Sequence, residues 1–148
     1  MEIVPPRPDA TEGKERIKLR ILVAEDDPSL QMMYRLVLKA KGYEVEIVDN
    51  GKLLIEKLLE EGKHYDIIIT DYEMPVQNGI DALKKIRSIN KFRKFPVIVL
   101  TGLGDNPEIE GIINDLDATC MSKPFILKEL SAKIEELTKK SSTTEGEK

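Results

Sequence analysis

Five short apolar, β-rich runs recur along the chain, and each is followed by a longer segment whose apolar residues fall three or four positions apart. The runs are Arg20 to Ala24, Glu44 to Val48, Asp66 to Thr70, Val97 to Thr101 and Thr119 to Ser122, each of strand length. Helical spacing appears in Leu30, Met33, Val37 and Ala40, in Leu54 with Leu58, and in Leu83 with Ile86. It appears again in Ile109, Ile112, Ile113 and Leu116, and in Leu127, Leu130, Ile134 and Leu137. Punctuation agrees with this division. Gly42 stands where the first helix must stop, Asp27 precedes Pro28 as an N-cap, and Asn106 precedes Pro107 in the same way.

Strict strand–helix alternation, with strands apolar throughout, demands a parallel sheet covered on both faces. Right-handed crossovers leave few topologies for five strands. The expected fold is α/β, a three-layer flavodoxin-like doubly wound sandwich with strand order 2-1-3-4-5 and five helices. Ligands of such sheets sit at the carboxyl ends of the strands, beside the switch point between strands 1 and 3.

The 148 residues support one domain with a full core, and 41% hydrophobic with 34% charged residues is ordinary globular composition. Residues 1–17, with Pro5, Pro6 and Pro8, read as a flexible extension, 18–138 as the domain, and 139–148 as a flexible polar tail. A net charge of -4 with scattered Lys and Arg argues against direct nucleic-acid binding. No run approaches the roughly 20 apolar residues of a membrane span, and no signal-peptide core is present, so a cytoplasmic location is expected. The single cysteine, Cys120, forms no internal disulfide and reads as a small buried hydrophobe.

Polar chemistry gathers at three strand ends. The first run leads into Glu25-Asp26, the third into Asp71 on a turn, and the fourth ends on Thr101. Carboxylates converging within about 5 Å repel by roughly 3 kcal/mol per pair at an effective dielectric near 20, so a cation or a proton must relieve them, and a divalent metal is the natural answer. An all-oxygen set without His or Cys selects a hard ion, and Mg²⁺ with a substrate phosphate fits best. Lys123 closes the last strand, where its ammonium and the Thr101 hydroxyl can neutralise phosphoryl oxygens while Asp71 attacks phosphorus.

Glu25-Asp26, Asp71 followed by Met74-Pro75 and Gly79, Thr101, and Lys123-Pro124-Phe125 resemble, in order and position, the receiver domain of two-component response regulators, including the chemotaxis response regulator. The resemblance spans about Leu19 to Leu137. It implies a signalling domain rather than an enzyme, in which Asp71 takes a phosphoryl group from the phosphohistidine of a sensor histidine kinase or phosphotransfer protein. It also implies Mg²⁺ held by Asp26, Asp71 and the backbone carbonyl of Glu73, with Glu25 acting through water, and Lys123 paired with the phosphoryl group. Movement of Thr101 would then reshape the helix 4 to helix 5 surface read by a downstream protein. A monomer or weak dimer that stands alone, with no membrane partner, is the expected form.

Two positions depart from the family pattern. Cys120 stands three residues before Lys123, where many members carry a switching Tyr or Phe, and Glu73 is acidic where many carry Asn or another polar group. Two other readings compete. A haloacid-dehalogenase-type enzyme would place its nucleophile after the first strand in an Asp-x-Asp motif with a cap domain, which this chain lacks. A pseudo-receiver would keep the fold and bind partners without phosphorylation. Elsewhere, His64 reads as a solvated loop residue, Gly102 to Asp105 as a mobile loop, and the Lys123-Pro124 bond as cis by resemblance.

Overall fold

The computed structural model describes residues 18–74, 78–102, 106–123 and 127–147. Pro75, Leu103 to Asp105, Pro124 with its preceding peptide bond, Phe125 and residues 1–17 lie outside them. The elements run β1 (Arg20–Ala24), α1 (Pro28–Ala40), β2 (Glu44–Val48), α2 (Gly51–Leu58), β3 (Ile67–Asp71), α3 (Gly79–Ser88), a 3₁₀ turn (Asn90–Phe92), β4 (Val97–Thr101), α4 (Pro107–Asp115), β5 (Thr119–Ser122) and α5 (Leu127–Glu147). All pairings are parallel and the sheet order is β2-β1-β3-β4-β5. This is the expected flavodoxin-like sandwich.

Period-two alternation along the strands divides the core into two layers. Leu22, Ala24, Ile68, Val97 and Val99 join Leu54, Leu83, Ile86 and Ile113 beneath α2, α3 and α4. Ile21, Val23, Ile67, Ile69, Ile98 and Leu100 join Tyr34, Leu38, Leu130 and Ile134 beneath α1 and α5. Neighbouring residues of one strand therefore serve opposite layers, which is why these strands are apolar at nearly every position.

The caps form as their chemistry dictates. The Asp27 carboxylate accepts from the Ser29 N–H at 2.9 Å, and the Asn106 side chain accepts from Glu108 and Ile109. Gly42 has φ +93°, with its N–H on the Lys39 carbonyl and the Tyr43 N–H on the Leu38 carbonyl. That pair of bonds is a Schellman stop, and the positive φ is what demands glycine.

The structure corrects the sequence reading at several places. β3 is displaced by one residue, so Asp71 is its last residue, in register with Leu100, rather than the first of a turn. Asp66 instead precedes the strand and accepts the Arg20 N–H at 2.8 Å. On α1 the buried residues are Tyr34 and Leu38, whereas Val37 is half-buried and Ala40 is exposed. Cys120 is half-buried against the core, since β5 is an edge strand. His64 is exposed, as its loop position implies, with its Nε2 3.4 Å from an Asp66 oxygen. The last helix continues to Glu147, beyond position 138, as no proline interrupts its backbone bonding.

Candidate functional site: an acidic cluster at the carboxyl edge of the sheet

β1 and β3 are adjacent, so their carboxyl ends deliver Glu25, Asp26 and Asp71 to one place. Carboxylate oxygens of all three lie within 4.8 Å of one another. Glu25 and Asp71 are buried and Asp26 is exposed. The Lys123 Nζ reaches in from the end of β5, 2.9 Å from Asp71 Oδ1 and 3.8 Å from Glu25 Oε1. The Lys123 N–H donates to the Thr101 carbonyl at 2.8 Å, which ties the lysine to β4. Thr101 itself is buried one strand from Asp71.

Electrostatics leave the cluster short of positive charge. Burial raises the Asp71 pKa above its ordinary value, the Lys123 hydrogen bond and charge lower it, and Asp26 raises it again. Glu25 is raised by burial first, against a stabilising Asp27 N–H, with Asp71 adding repulsion. Three carboxylates face one ammonium, so ionisation of all three leaves two negative charges without a counterpart. Glu25 Oε2 accepts from the Asp27 N–H at 3.1 Å, while Glu25 Oε1 is buried with no hydrogen-bond partner. A buried carboxylate oxygen without a donor is costly unless a cation or a bound water serves it. These oxygens fit a hard divalent ion.

Glu73 is exposed and lines an open cleft with Asp26, Tyr72, Met74 and Asn78 beside the cluster. Asp27 stays outside it as the cap of α1, as its spacing implies.

Tyr34 and Gln31 escaped the sequence reading, and Gly79 figured there only by its spacing. Gly79 packs so closely on the Asp71 and Tyr72 backbone that its role is steric. Tyr34 lies beneath the cluster, its hydroxyl pKa pushed up by burial and then by the charges of Glu25 and Asp71. Gln31 donates to the Glu25 carbonyl. Only Gly79 carried a sequence signal, through its spacing from Asp71.

The family model described as the response regulator receiver domain matches residues 21–135. The chain belongs to the response regulator receiver family. Among the receiver domain's relatives, the chemotaxis protein CheY1 of Helicobacter pylori is 30% identical over 118 residues, covering 79% of this chain and 94% of that protein. The transcriptional regulatory protein CpxR homolog of Haemophilus influenzae is 32% identical over 126 residues, covering 84% of this chain. This chain spans 52% of that relative and 50% of the transcriptional regulatory protein RprY of Bacteroides fragilis, about half their length. Among solved structures, the receiver domain of the sensor histidine kinase PA1611 of Pseudomonas aeruginosa superposes with a TM-score of 0.72 at 28% identity, covering 82% of this chain and 98% of that one. That structure has a magnesium ion coordinated in its active site cleft. Receiver domains are signalling domains rather than conventional enzymes, and response regulators interact with histidine kinases and downstream targets. No helix among the described residues is long and apolar enough to cross a membrane.

Proposed function

We propose that the receiver domain, within residues 18–138, is a phosphorylation switch with Asp71 as its acceptor. The observation that carries this is the convergence of the Glu25, Asp26 and Asp71 carboxylates at the carboxyl edge of the sheet, with Lys123 paired to Asp71. Asp26, the Asp71 carboxylate and the Glu73 backbone carbonyl would hold Mg²⁺, with Glu25 acting through water. Bound there, Mg²⁺ supplies charge that offsets the negative phosphoryl oxygens.

An Asp71 carboxylate oxygen attacks phosphorus as the phosphorus–nitrogen bond of a partner's phosphohistidine breaks. The bonding pair returns to the imidazole nitrogen, and an aspartyl phosphate forms. The Lys123 Nζ, already 2.9 Å from Asp71, exchanges the carboxylate for a phosphoryl oxygen. The Thr101 hydroxyl donates to another and carries β4 toward the acceptor. The donor is a sensor histidine kinase or phosphotransfer protein, and the α4 to α5 surface is read by a downstream protein. The domain itself needs no nucleic acid or membrane contact and acts as a monomer or weak dimer in the cytoplasm. Phosphorylation then biases two states by a coupling of about 1 to 3 kcal/mol.

The test is intact mass after incubation with acetyl phosphate, with and without Mg²⁺, for the parent chain and Asp71→Asn. One phosphoryl adduct requiring both Mg²⁺ and Asp71 is the expected result. No adduct on a folded chain overturns the reading in favour of a binding module that works without phosphorylation.

A further inference from the structure

The acidic pair stands on a loop, yet one of its two members has little side-chain support. The Glu25 side chain is anchored by the Asp27 N–H. Asp26 is exposed, and no hydrogen bond or ion pair of its side chain appears among those found for the described residues. The direction of its carboxylate therefore depends on the Glu25–Asp26 peptide, which joins the end of β1 to α1.

Hydrogen bonds to β2 and α1 hold that segment. The Glu25 N–H donates to the Val48 carbonyl at 3.0 Å, continuing the β1–β2 ladder by one bond. On the other side, the Gln31 Nε2, one turn into α1, donates to the Glu25 carbonyl at 2.5 Å and to the Asp49 Oδ1 at 2.9 Å. A carboxamide NH₂ carries two hydrogens, so both bonds form together. Gln31 thereby links three segments: the β1–α1 loop, its own helix and the residue that follows β2. The donor must be a neutral NH₂ or a cation; an isosteric acid or thioether has no hydrogen to offer.

We infer that Gln31 is a positioning residue for the divalent cation, setting the orientation of the Glu25–Asp26 peptide and through it the Asp26 carboxylate. This rests on the reading of the cluster as a Mg²⁺ site. Groups that orient metal ligands from outside the coordination sphere typically account for 10–100-fold in affinity; acting through the backbone, Gln31 belongs at about tenfold.

The experiment is calorimetric titration of the full chain with Mg²⁺ alone, alongside the melting temperature of each metal-free variant. Gln31→Met, which keeps length but no donor, is expected to bind Mg²⁺ about tenfold more weakly, while its metal-free melting temperature falls by no more than about 5 °C. Gln31→Arg, which can donate to both oxygens, is expected to restore most of the affinity. A purely structural role would lower the melting temperature and leave Mg²⁺ affinity unchanged, and that outcome overturns the inference. If Gln31→Met fails to fold, weakened binding in Gln31→Arg equal to that of a donor-free Gln31→Leu overturns it instead. Absence of Mg²⁺ binding by the parent chain overturns the site reading and this inference together; parent binding matched by Gln31→Met overturns this inference alone.

Discussion

A β-carbon on Gly79 would stand 2.6 Å from the Asp71 carbonyl oxygen and 3.0 Å from the Tyr72 Cα. The Gly79 N–H donates to the Tyr72 carbonyl at 2.8 Å, so the first residue of α3 is pressed directly onto the backbone that presents Asp71. Both obstructing atoms are backbone and cannot swing aside. Gly79→Ala is therefore expected to cost about 1–3 kcal/mol through overpacking, although alanine is the better helix former. Urea denaturation measures the loss, and slower labelling of Asp71 by acetyl phosphate should accompany it. A variant as stable as the parent contradicts the steric account.

Lys123 should separate metal binding from phosphoryl transfer. It is the cation nearest Asp71, and its removal leaves the cluster more negative. Lys123→Gln is expected to slow acetyl phosphate labelling by about 10²-fold or more, the usual cost of losing one preorganised donor. Mg²⁺ affinity in the same variant should hold or rise. Loss of both together would mean that the lysine supports the fold of the site rather than the transferred group.

The edge strand β2 predicts acid sensitivity through Glu46. Burial by itself raises the Glu46 pKa, but hydrogen bonds from Tyr65 at 2.6 Å and Lys63 at 3.1 Å, with the Lys63 and Lys57 charges, bring it below the ordinary carboxylate value. A depressed folded-state pKa gives stability present above the unfolded value and lost as pH falls through the folded one. Tyr65→Phe removes one of these bonds and should cost about 1 kcal/mol near neutrality. The deficit should shrink as pH falls below the ordinary glutamate range. Urea midpoints at pH 7 and pH 3 measure it, and a deficit that grows in acid would contradict the assignment.

Arg87 ties the far end of α4 to the body of the domain. Its guanidinium donates to the carbonyls of Leu116 at 2.7 Å, Phe92 at 2.7 Å and Asp117 at 2.9 Å, and Asp117 sits at φ +62°. Arg87→Met should cost about 2–3 kcal/mol, since three charge-assisted bonds vanish at once. Hydrogen exchange at Asp117 and Ala118 should quicken more than in β1, because opening is local to that turn. Uniform acceleration would show instead that Arg87 supports the whole fold.

Local physics made much of this protein legible from its residues. The alternation of β-rich runs with helical spacing determined the layers and strand order, because a strand buried on both faces must be apolar throughout. Asp27, Gly42 and Asn106 announced helix ends through side-chain capping and a positive φ, which involve only near neighbours. The strand-end acids and Lys123 announced the cluster, since parallel topology delivers strand ends to one edge. Tertiary structure alone decided the rest. Tyr34 and Leu38 took the core face of α1, Asp71 became the last residue of β3, and Lys123 paired more closely with Asp71 than with Glu25. Arg87 reaches carbonyls 29 and 30 residues away, and Gln31 reaches the Asp49 carboxylate 18 residues on. Such bonds depend on where packed helices bring side chains in space, and no periodicity along the chain encodes that distance.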